Sequence, residues 1–139
     1  MKPTYLHPTQ ESGRRLFSQN RKGPVVMLNL LKFRETADYS GLENLAPANS
    51  ISGREAFERY ISRTRPFLEE SGGKILFLGE SNDFLIGPED EAWDYVMLIQ
   101  QNSLEDFLSF ASNEEYLKGM GHRDAALIDS RLLPVWRHD

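Results

Sequence analysis

The residues of this 139-residue chain from which chemistry could be built are few: three histidines, no cysteine, and some polar residues inside apolar runs. Histidine is the side chain whose ordinary pKa suits proton transfer near neutrality. His122, in a stretch loosened by Gly119 and Gly121, is therefore the candidate catalytic residue, although a lone helical histidine also serves packing or surface. Asn29 interrupts the apolar run 25–33. A buried amide must satisfy its hydrogen-bonding valences, either by orienting a ligand or by tying down a neighbouring strand. Asp129 and Arg131 alternate onto one face of the last predicted strand. They either pair with each other or offer a guanidinium fork to an anion. Arg123, beside His122, completes the candidate ligand-binding set of Asn29, Arg123, Asp129 and Arg131. Tyr39, Tyr60 and Tyr95 are possible proton donors, each with a packing role as the alternative.

Other chemistries are disfavoured. His7, His122 and His138 have no ligand-like spacing and no thiolate exists, so no metal site is expected. No phosphate loop, dinucleotide fingerprint, nucleophile elbow or His-Glu-x-x-His pattern occurs, and no cofactor is expected. Net charge is −5 with the basic residues scattered, which argues against a nucleic-acid or anionic membrane partner. The amino terminus lacks the apolar core of a signal peptide, and no stretch approaches the length that spans a bilayer. These features predict a soluble, cytoplasmic protein.

The positioning elements follow from punctuation and period. Residues 8–20 predict a short amphipathic helix, and residues 1–23 an N-terminal helical extension to a single domain at 24–139. Residues 24–33, after Gly23 and Pro24, predict a strand apolar on both faces. Residues 34–50 predict a long loop, either a functional lid or a shield over a sheet edge. Ser52 and Glu55 match a capping box, and Phe57, Tyr60, Ile61, Thr64, Phe67 and Leu68 hold the helical period behind it. Pro66 should kink or loosen that helix, which Gly72 and Gly73 end. A second strand at 74–80 and an extended piece at 84–86 follow. Residues 93–101 form a third strand, with Asp94 accepting from an arginine or a turn amide. Ser103 caps a helix whose buried edge is Leu104, Phe107, Leu108 and Ala111. A further helix runs from Asn113 towards Ala126. The last strand, 127–136, should bury Leu127, Leu132, Leu133, Val135 and Trp136.

The order is βαββαβ, an α+β ferredoxin-like plan with a four-stranded antiparallel sheet, helices on one face and an extra N-terminal helix. One sheet face stays bare. Taking Val26, Leu28 and Leu30 as helix-facing sends Val25, Met27, Leu31 and Phe33, with Asn29, to that bare face. A second copy is its natural cover, forming a homodimer with a shared barrel-like core.

Val26–Phe33, the helix start at 53–60, Gly72 and Gly73, Trp93 and Asp94, Glu115 and Tyr116, His122 and Arg123, and residues 129–132 carry, in this order and spacing, a resemblance. The chain resembles the domain of unknown function 1330 family over about residues 24–136. That resemblance implies the dimeric α/β-barrel superfamily, whose members include cofactor-independent monooxygenases, ring-cleaving and isomerising enzymes and haem-handling proteins. It implies no particular reaction. Two functional readings stand. One is a homodimer binding an apolar or carboxylated small molecule, with cofactor-independent catalysis in an apolar cavity. The other is a non-catalytic ligand-sensing or assembly module.

Overall fold

A computed structural model describes residues 2–138. The chain runs α1 (Gln10–Ser18), β1 (Val25–Phe33), α2 (Gly53–Glu70), β2 (Lys74–Glu80), β3 (Tyr95–Gln101), α3 (Leu104–Ala111), α4 (Glu114–Lys118), α5 (Gly121–Ala126) and β4 (Leu127–Val135). The sheet order is β2-β3-β1-β4, and every pairing is antiparallel. β1 is thus an inner strand with neighbours on both sides, which is why it tolerates so little polar character. This is the four-stranded, helix-covered ferredoxin-like plan, preceded by an N-terminal helix.

Local signals explain the helix starts. Thr9 and Ser12 form a reciprocal capping box on α1, each side chain accepting from the other's backbone N–H. Ser52 caps α2 by accepting from Glu55 N at 3.0 Å, while Glu55 turns its carboxylate to the Ser52 hydroxyl. Ser103 and Asn113 cap α3 and α4 in the same way. The helix predicted from Asn113 to Ala126 is split at Gly119, where the Arg63 side chain lies so close that a Cβ would overlap it. α2 runs unbroken through Pro66.

The parity of β1 is the reverse of the expected one. Val25, Met27, Asn29 and Leu31 are buried against the helices, and Val26, Leu28 and Leu30 take the bare face. An apolar period-two pattern on both faces carries no phase, so the sequence alone could not choose. The choice follows from what lies opposite. Leu31, Phe57, Leu68, Met97 and Phe110 close into one core cluster, and Val25 and Met27 join Leu104 in a second. Two further expectations are corrected. Leu132, Leu133 and Val135 are 46%, 59% and 39% exposed, because β4 is an edge strand with one face bare and the other on a cavity. Leu108 is 51% exposed, and Phe110 takes its place in the core.

The 34–52 loop shields neither a sheet edge nor the sheet–helix cavity. Asp38 N donates to Ala125 O, and Leu42 and Leu45 pack over Gly121, so the loop covers α5. The segment at 84–86 is a bend rather than extended chain, with Leu85 wholly exposed. Asp94 Oδ2 accepts from Phe33 N at 2.7 Å and so joins the start of β3 to the end of β1.

Candidate functional site

Between the inward sheet face and the helices lies a cavity of about 1160 Å³. Its floor comes from alternate residues of three strands: Met27, Asn29 and Leu31 on β1, Met97, Ile99 and Gln101 on β3, and Ser130, Leu132 and Pro134 on β4. Phe57, Tyr60, Ile61, Thr64 and Leu68 of α2 form one wall, and Phe107, Phe110 and Tyr116 extend it. α1 is the roof. It buries none of its own residues, yet Gln10, Gly13, Leu16 and Phe17 line the space beneath it. The size is that of a small-molecule site, and the lining is largely apolar with a few convergent polar groups.

The first polar group is Asn29, 5% exposed in mid-strand. Its Nδ2 donates to Met27 O at 3.1 Å and Met97 O at 3.4 Å. Carbonyl oxygens only accept, so the reverse orientation of the amide would set oxygen against oxygen. Oδ1 therefore points away from the strands. No protein group among the described residues donates to it, and it keeps accessible surface on the cavity side, since it is not one of the fully buried unpaired side-chain atoms. One half of this amide ties strands together, and the other half is an unmet acceptor.

The second group is a phenol pair. Tyr60 Oη and Tyr116 Oη lie 2.7 Å apart, both buried. Burial pushes the Tyr60 hydroxyl well above its usual range, helped by Tyr116, and burial raises Tyr116 as well. Both stay protonated near neutral pH and act as hydrogen-bond donors rather than bases. The guanidinium of Arg123 is near enough to oppose both shifts. Tyr116 and Ser130 lay outside the sequence-derived candidates, because aromatic and small residues in a packing pattern look like core.

Three of the five candidate residues, Arg123, Asp129 and Arg131, contact the amino-terminal segment. Tyr5 N donates to Asp129 Oδ1 at 2.8 Å, and Tyr5 O accepts from Ser130 Oγ at 2.6 Å. Arg123 donates through Nη1 to Leu6 O at 2.6 Å and through Nη2 to Ser130 Oγ at 3.3 Å. Arg131 pairs with Asp129 at 2.7 Å and stacks over the rings of Tyr5 and Trp93. His7 Nε2 lies 3.0 Å from Asp124 Oδ1. Asp129 and Arg131 thus form the ion pair that was one of their two readings, on the β4 face opposite Asn29. Arg123 and Asn29 share the cavity.

His122 sits elsewhere. Its Nδ1 meets Tyr39 Oη at 2.8 Å beneath the 34–52 loop, and it does not line the cavity. Burial lowers its pKa below the ordinary 6.5, and the charges of Arg63 and Arg59 add to that effect. Among the described residues no group of three or more histidine and carboxylate side chains could hold a metal ion, and no helix is long and apolar enough to cross a membrane.

Residues 45–134 match the family described as Domain of unknown function (DUF1330). The chain is similar to the RPA0582 protein of unknown function from Rhodopseudomonas palustris, with 31% identity over 99% of both chains and a TM-score of 0.84. The methylated RPA0582 protein gives 32% identity over 98% of this chain and 96% of that one, with a TM-score of 0.86. A ferredoxin-like protein of unknown function from Bacteroides fragilis, described as dimeric, shares the fold at 11% identity, covering 81% of this chain and 94% of that one, with a TM-score of 0.50. No curated protein matches the chain.

Proposed function

This chain belongs to the DUF1330 family, whose description names no activity, and we propose that it binds a predominantly apolar small molecule between its sheet and its helices. The observation that carries this reading is the unmet Oδ1 of Asn29 at the floor of an apolar cavity. A ligand that filled the cavity without donating to this oxygen would bury an unpaired acceptor, at about 1–3 kcal/mol. A ligand that donates to it avoids that cost. Binding is favoured over acid–base catalysis because the cavity's titratable phenols are held protonated and His122 lies outside it.

The same proposal includes assembly as a homodimer. The bare sheet face carries Val26, Leu28, Leu30, Val96 and Leu98, with Phe77 at 54% and Leu133 at 59% exposure. A second copy laid face to face by a two-fold axis covers this surface with itself. The ligand chambers then lie on the outer sides of the paired sheets, one in each subunit, rather than between them. A cytoplasmic setting fits a chain without cysteine.

The test uses the neutral fluorescent probe N-phenyl-1-naphthylamine. Its emission should rise on adding the protein. Leu132→Trp, which fills space on the cavity floor, should abolish most of that rise, whereas Leu98→Lys, on the bare face, should leave it. The opposite pattern moves the probe to the sheet surface and ends the cavity reading.

A further inference from the structure

Arg123 is half-buried and lines the cavity beside Tyr60 and Tyr116, yet no carboxylate among the described residues pairs with it. Its two hydrogen bonds go to neutral acceptors, Leu6 O and Ser130 Oγ, and leave further N–H groups of the fork unused. Every other cavity-lining arginine lies on or near the exposed rim or, like Arg131, already has its acid. A cation in an apolar space with no counter-charge is costly. That cost is relieved when an anion arrives with the ligand.

We propose that the cavity takes an amphipathic monocarboxylate, its head group on Arg123 with a hydroxyl of the Tyr60–Tyr116 pair donating beside it. One guanidinium compensates one negative charge, and a carboxylate matches its planar fork. The apolar tail lies along Ile61, Ile99 and Leu132, cavity-lining residues that keep accessible surface. In the phenol pair one hydroxyl donates to the other, so one proton remains for a ligand oxygen. This inference rests on the cavity being a ligand site and adds the chemical class of the ligand.

The test compares octanoate with 1-octanol, which share a chain and differ in charge, on the full-length protein at pH 8 by tryptophan fluorescence; Trp136 lines the cavity. Octanoate should bind about tenfold more tightly, the ratio expected when a charge-assisted hydrogen bond replaces a neutral one. Arg123→Gln should shrink that preference to near unity. His7→Gln, which loosens the amino-terminal segment but keeps the guanidinium, should preserve it. Equal affinity of the two probes for the unaltered protein overturns the head-group assignment and leaves the cavity reading standing. Binding of neither overturns both. Should Arg123→Gln fail to fold, the ratio in the unaltered protein decides, with Arg123→Lys expected to retain part of the preference by keeping the charge without the fork.

Discussion

Asn29→Asp changes one nitrogen to oxygen and almost nothing in shape, so its effect isolates the orientation of the amide. In the protein Nδ2 stands 3.1 Å from Met27 O and 3.4 Å from Met97 O. A carboxylate there turns two attractive contacts into repulsion between oxygens, at a site 5% exposed. The folded state evades this by keeping the acid protonated. Displacements of buried carboxyl pKa values reach about 3–5 units, and each unit is worth about 1.4 kcal/mol. A three-unit rise therefore costs about 4 kcal/mol at pH 7, a large share of a stability of about 5–15 kcal/mol. The folded pKa is raised, so the penalty is absent below the unfolded value near about 4 and grows as pH climbs above it. Urea denaturation of the variant should show near-parental stability at pH 4 relative to the parent at the same pH, and a deficit of about 4 kcal/mol at pH 7. Equal stability of the two proteins at pH 7 would refute the assigned orientation and with it the unmet acceptor.

Leu98→Lys places charge on the bare face while leaving the core cluster intact, so light scattering should report the proposed dimer for the parent and a folded monomer for the variant. A dimer that survives the change uses another surface. His122 is harder to protonate in the folded than in the unfolded chain, because burial and then Arg63 and Arg59 oppose its charge. Between the folded value and 6.5 the unfolded chain binds more protons, so stability should rise with pH across that window and fall on acidification. His122→Asn should flatten the dependence, and an NMR titration of the His122 ring with a midpoint at or above 6.5 would contradict the packing described.

Element order was legible because the chain punctuates it: Gly23 and Pro24 before β1, Ser52 before α2, Gly72 and Gly73 after it, and Ser103 before α3. The face each β1 residue takes was not legible, since Val, Met and Leu on both parities remove the alternation that encodes it. The site was half legible. Asn29 stood out as a lone amide in an apolar run, and Arg123 was named, but what Arg123 holds was hidden. Its partner Leu6 contributes only a backbone oxygen, which leaves no trace in residue type. The Tyr60–Tyr116 pair spans 56 positions and joins two residues that each look like ordinary helix packing.

The roof over the cavity is anchored to the far end of the chain. Tyr5 and Leu6 are gripped by Arg123, Asp129 and Ser130, at separations of 117 to 125 positions. In synthesis from the amino terminus, Tyr5 and Leu6 emerge well before Arg123, Asp129 and Ser130 and must wait for them before finding their place. Loops of that span close slowly, so covering the chamber belongs to the late steps of folding. A nascent chain stalled before β4 would carry an α1 with nothing to hold it and an oily interior exposed to whatever lies nearby.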